Sequence, residues 1–264
     1  MTEHTSINAR IREMTQACFE KNELIAYDGA CNEAEYNKLE HKVVFLLKEV
    51  NDSGSTDSWS LIEEMQGQRD GKRAGESVKF TETWKNVARW MHVCMNPRVN
   101  FVEVEKTIGA SLQYPVLRKV MNYVAALNVK KTFGKSSSEN KEIMDYLQDS
   151  LKGMSRRELV KKEIEEILDP KFLICCGTFE YAKLIYEIPN TQAPTVVMMP
   201  EKETKNSTVY LLSNGTEFFV NDTGRVFLKF CHPAWFSINK NILFAYFRDT
   251  YHCLASLGLV SAGT

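Results

Sequence analysis

Lys42 to Gly54 reads K-V-V-F-L-L-K-E-V-N-D-S-G. Five apolar residues in a row, Val43 to Leu47, give way at once to charged and polar ones. An unbroken apolar run of this length reads as a strand buried on both faces, as in a parallel sheet. The loop after such a strand opens at the carboxyl edge of the sheet, where open α/β folds place their ligands. Glu49, Asn51 and Asp52 therefore stand where chemistry is expected, although Asn-Asp-Ser-Gly is also ordinary turn composition.

Working outward, three more apolar runs repeat the pattern: Tyr123 to Leu127, Phe172 to Cys176 and Val226 to Phe230. Helical spacing predicts helices over Ile7 to Glu20, Asn32 to Leu39, Thr83 to Met95 (stopped by Pro97), Pro115 to Met121, Phe179 to Tyr186 and Ile238 to Leu257. The charged stretch Ser136 to Leu168 reads as helix in one or two pieces, broken near Gly153. Asn214-Gly215, between Thr208–Leu212 and Glu217–Val220, is a hairpin signal. Alternating strands and helices imply a three-layer αβα fold around a central, mainly parallel four-stranded sheet. The expected organisation is one α/β domain over 1–264, with an N-terminal helical extension, 1–41, and insertions near 53–80 and 190–225.

The chain has 264 residues, 44% of them hydrophobic, and a formal net charge of -1. That composition excludes global disorder and a strongly basic nucleic-acid coat. It leaves room for a local basic groove from Arg69, Lys72 and Arg73, from Lys130, Lys131 and Lys135, or from Lys240. Arg156, Arg157, Lys161 and Lys162 alternate with glutamates and read as a solvated helix face. The seven cysteines are scattered and odd in number, which points to free thiols in a reducing cytoplasm. No metal site, cofactor, signal peptide or membrane span is expected, and the expected state is a monomer.

The strands end in Asn51, Asn128, Gly177-Thr178 and His232. Parallel neighbours would bring these groups to one edge. An Asn can present a donor and an acceptor to the edge of a planar base. A His beside Pro can donate to a carbonyl oxygen as negative charge builds there. In their order along the chain these residues resemble the uracil-DNA glycosylase superfamily. Val43 to Gly54 is similar to its first motif, with Asn51 in the place of the water-positioning residue, as in the mismatch-specific branch. Asn128 resembles the base-reading Asn, Leu173 to Thr178 the third core strand, and His232-Pro233-Ala234 the H-P-S motif. Phe80, before Thr83-Trp84-Lys85, resembles the aromatic that stacks on the extruded base.

The resemblance implies a glycosylase that everts a base from double- or single-stranded DNA and cleaves its N-glycosidic bond, without a cofactor. Glu49 and Asp52 replace the family's Gly and Pro, so Glu49, Asn51 or Asp52 could direct the water. His232 and Asn128 would stabilise the departing base. Trp235 and Phe236 are placed to fill the vacated stack, although Trp235 reads more readily as a core aromatic, and Lys130, Lys131 and Lys240 would meet phosphates. The departures suit a modified base, in repair or in defence against foreign DNA, better than plain uracil. The alternatives are a non-catalytic nucleic-acid or nucleotide-binding module on the same fold, and an unrelated enzyme using Cys176 or Cys231 as nucleophile.

Overall fold

The computed structural model describes residues 6–21, 23–49, 58–66, 81–106, 114–134, 139–189, 195–196, 208–235 and 238–262. The chain runs α1 (Ile7–Cys18), β1 (Ala26–Tyr27), β2 (Gly29–Ala30), α2 (Glu33–Asn37), β3 (Val43–Leu47), β4 (Trp59–Ser60) and α3 (Leu61–Met65). It continues with α4 (Glu82–Met95), α5 (Phe101–Val104), α6 (Tyr114–Met121), β5 (Ala125–Asn128), α7 (Asn140–Gln148), α8 (Arg156–Lys162) and a π-helical segment, Glu163–Leu168. The last part is β6 (Phe172–Cys176), α9 (Phe179–Ile185), β7 (Thr195–Val196), β8 (Val209–Leu211), β9 (Glu217–Val220), β10 (Val226–Phe230) and α10 (Lys240–Ser256).

Every residue of β3 and of β6 is buried, as continuous apolar runs require when both sheet faces are covered. Strand period sorts their side chains. Val43, Phe45 and Leu47 join Trp90 of α4 and Phe247 of α10 on one face. Val44 and Leu46 join Ile11 of α1, Leu159 of α8 and Tyr181 of α9 on the other. Trp90 anchors the first layer, 4.9 Å from Phe230, 5.7 Å from Phe247 and 6.5 Å from Phe45 between ring centroids.

The sheet corrects the expected fold. Among the described residues its order is β2-β5-β3-β6-β10-β9-β8-β7, eight strands rather than four, and it is mixed. β5, β3, β6 and β10 pair in parallel. β2 is antiparallel to β5, β9 is antiparallel to β10, and β8 is antiparallel to β9. β1 and β4 form a separate two-stranded parallel sheet. The physical reason is that the Asn214-Gly215 hairpin does not stand apart: β9 hydrogen-bonds directly along β10 and carries the sheet outward.

At the opposite edge β2 is only two residues long, too short for a period to show. Here α1 lends a side chain in place of a strand. The Asn8 amide donates to the Ala30 carbonyl at 2.9 Å and accepts from the Ala30 N–H at 2.8 Å. Gly29 has φ +151°, and a Cβ there would lie 2.1 Å from the Asn8 amide oxygen, so the close approach needs glycine. Among the described residues no helix is long and apolar enough to cross a membrane.

Phe45 is fully buried at the centre of the sheet, whereas Ile242 on α10 is 64% exposed. Phe45→Ala is expected to cost about 3–5 kcal/mol of unfolding free energy, and Ile242→Ala less than about 0.5 kcal/mol. Urea denaturation of the two variants checks the contrast.

Candidate functional site

The carboxyl edge of the four parallel strands is built from backbone stitching. At the end of β6 the Gly177 N–H donates to Phe230 O at 2.8 Å, and the Thr178 hydroxyl donates to Leu46 O at 2.8 Å. Gly177 takes φ +71°, a left-handed conformation that glycine enters without strain. β10 then runs into a turn, His232 to Trp235, closed by the Trp235 N–H donating to His232 O at 3.0 Å. Pro233 occupies the second position of that turn, where its fixed φ is pre-set. The Asn86 amide of α4 donates to Pro233 O at 2.7 Å and holds the turn from below.

A polar chain extends this support. Arg89, itself buried, donates to Asn86 Oδ1 at 2.7 Å and to Glu105 Oε1 at 2.7 Å. Lys240 closes it on Glu105 at 2.9 Å. Burial alone would raise the Glu105 pKa, but Arg89 and Lys240 outweigh it and hold the carboxyl below its ordinary value.

His232 remains solvent-accessible. Its Nδ1 accepts from the Ala234 N–H at 3.1 Å, which leaves the proton of the neutral ring on Nε2. Packing around the ring, and then the nearby Lys48 ammonium, hold its pKa below the usual imidazole value. Trp235 is 48% exposed. The edge thus presents a neutral imidazole N–H, a cation and an open indole face.

Glu49 and Lys130 meet at 3.0 Å, both nearly buried, and Lys130 also pairs with Glu142 at 2.7 Å. Tyr181, hydrogen-bonded to Asn140 at 2.8 Å, has its pKa pushed up to about 12, first by burial and then by Glu49. Asn128 is turned inward: its amide donates to Asp28 Oδ1 at 2.7 Å and its N–H to Asp28 Oδ2 at 2.9 Å. Lys131, 1% exposed, lies between Asp28 and Glu163 at 2.5 Å from each.

The residues singled out from sequence therefore divide. Glu49 is brought to Lys130, and Asn128 and Lys131 share Asp28. Among the described residues no hydrogen bond or ion pair joins His232 to Asn128 or Glu49. Lys240 serves the α4–α5 network. Asn51, Asp52, Phe80 and Phe236 lie outside the described residues.

No family model, no curated protein and no solved structure matches the chain. Among the described residues no cluster of His, Cys, Asp and Glu is arranged to hold a metal. These findings correct the expectation of a uracil-DNA glycosylase-like enzyme. The sheet is not the compact four-stranded parallel core that the resemblance implies, and no such active site is assembled among the described residues. The base-excision, repair and defence roles fall with it. The cysteine alternative gains nothing either: burial raises the Cys176 pKa far above its ordinary value and pushes Cys231 up to about 12, away from the reactive thiolate.

Asn86, Arg89, Asp28 and Glu163 were not singled out from the sequence. Three of them leave a trace there. Glu163 interrupts the apolar i, i+4 stripe Leu159–Ile167, and Asn86 and Arg89 sit three apart among the core residues of α4.

A Cβ added to Gly134 would lie 1.9 Å from Glu49 Oε2. Gly134→Ala is thus expected to push Glu49 off Lys130 and to destabilise the protein by about 1–3 kcal/mol. Thermal unfolding of Gly134→Ala beside Gly134→Ala/Glu49→Ala checks the cause, because removing the Glu49 side chain should recover most of the loss due to the clash.

Proposed function

We propose that the carboxyl edge binds a single-stranded nucleic acid, with His232 and Lys48 meeting phosphate and Trp235 stacking on a base. The turn that presents His232 and Trp235 together carries this reading. Base-on-aromatic stacking tolerates any sequence, and phosphate contacts supply the rest of the affinity. The near-neutral net charge fits a small footprint rather than a long basic channel.

Titration of a labelled oligonucleotide into the protein tests it. Trp235→Ala is expected to weaken binding by about 5- to 150-fold, the equivalent of ~1–3 kcal/mol per stacked base. His232→Ala, which removes a neutral hydrogen-bond donor, should lower the affinity with little change in its salt dependence. Unchanged binding in both variants, or no binding of any oligonucleotide by the parent protein, would overturn the reading.

A further inference from the structure

Lys131 of the segment after β5 is enclosed by Asp28, between β1 and β2, and by Glu163, the first residue of the π-helical segment. All three are at most 1% exposed. Two carboxylates and one ammonium leave an excess negative charge in a place water does not reach, and such a charge is costly unless a proton removes it. Other groups face the cluster from each element packed on it. They are the Thr15 hydroxyl of α1, the Asn128 amide of β5 and the Tyr146 hydroxyl of α7, which accepts the Lys131 N–H at 2.9 Å. Further out stand the Cys18 thiol and the cations Lys162 and Arg156.

The Thr15 hydroxyl offers a place for that proton. Its oxygen is 2.8 Å from Ile11 O and 2.9 Å from Glu163 Oε1. A hydroxyl has one hydrogen, so it can donate to one of these acceptors and not to both. With Glu163 ionised, Thr15 donates to Glu163 Oε1 and Ile11 O keeps the helical bond from the Thr15 N–H, but the excess carboxylate charge stays buried. With a proton on Glu163 Oε1, the carboxyl donates to Thr15, Thr15 donates to Ile11, and Glu163 Oε2 still faces Lys131. The protonated state keeps Thr15 and Ile11 O partnered and removes the excess charge, with Oε2 left to its ion-pair contact with Lys131.

We propose that Glu163 is a proton-binding site built into the fold, and that filling it tightens the attachment of α1 and the π-helical segment to the sheet. The molecule is then held more firmly in mildly acidic than in alkaline solution. The direction follows from linkage. Burial, ahead of the opposing pull of Lys131, raises the Glu163 pKa above its unfolded value. The native state therefore binds the extra proton, and the added stability is present at low pH and lost as pH rises through the folded pKa. His92 and His232, whose pKa values are lowered first by burial, act in the opposite sense below their ordinary value of 6.5. The readout is therefore the difference between the parent protein and Glu163→Gln.

Urea denaturation from about pH 8.5 to about pH 5.5 tests the proposal. The parent's folded-to-unfolded ratio is expected to rise relative to that of Glu163→Gln as pH falls, by up to about tenfold per pH unit. Glu163→Gln, whose amide can donate to Thr15 as the protonated acid would, should be at least as stable as the parent at pH 8.5. Thr15→Val, which removes the acceptor, should reduce the parent's acid gain. Parallel pH profiles for the parent and Glu163→Gln would overturn the proposal. So would a Glu163→Gln protein that is less stable at pH 8.5 or unfolded. As an independent measure, calorimetric unfolding across the same pH range in buffers of different ionisation enthalpy should register more proton release from the parent than from Glu163→Gln, and no difference at any pH would also overturn the proposal.

Discussion

A lysine ammonium withdrawn from water survives only where carboxylates and hydrogen bonds replace its hydration. Lys131 finds Asp28 and Glu163, and through them three distant parts of the chain are fixed to one another. Asp28 sits between β1 of the small sheet and β2 at the rim of the main one, and Glu163 opens the π-helical segment that leads to β6. Burial pulls the Lys131 pKa down, but the two carboxylates outweigh it and keep the ammonium charged above its ordinary value. The same Asp28 takes the Asn128 amide, so the end of β5 is committed to structure rather than left open to a ligand. π-Helical segments often occur where function or strain has displaced the ordinary ladder. Here the displacement coincides with the placement of Glu163 against Thr15 and Lys131.

The carboxyl edge has a different character. Its groups are supported rather than enclosed. The turn after β10 rests on Asn86, and Asn86 rests on the buried guanidinium of Arg89. Polar residues inside α4 thus do for the His232–Trp235 turn what apolar residues do for the strands: they fix a position. Preorganisation of this kind lowers the cost of ordering side chains when a ligand arrives. Glu49, Lys130 and Glu142 form the neighbouring wall, already paired among themselves, and give the edge shape more than net charge.

The apolar runs were legible because burial on both faces writes the same letters whatever lies beside them. Val43–Leu47, Phe172–Cys176 and Val226–Phe230 are strands at the expected residues, and the Asn214-Gly215 hairpin forms. Period alone does not reveal partners. Nothing in Glu217–Val220 says that it continues the main sheet along β10, and the two-residue strands β1, β2 and β4 carry no period at all. The site was harder still. Asn128 and His232 were both noticed as strand-end polar groups, but which way an amide turns depends on Asp28, one hundred residues earlier. A resemblance carried by strand-end letters cannot see such a partner, and the eight-stranded mixed sheet departs from it.

The amide of Asn8 offers one donor and one acceptor to Ala30, the same pair that a neighbouring strand would offer. A helix side chain thereby occupies the rim position at which a foreign polypeptide could begin to add itself. Exposed rims of this kind seed self-association between molecules, and natural folds blunt them in various ways. By spending a single amide at this rim, the chain removes a nucleation point for intermolecular pairing without lengthening the sheet.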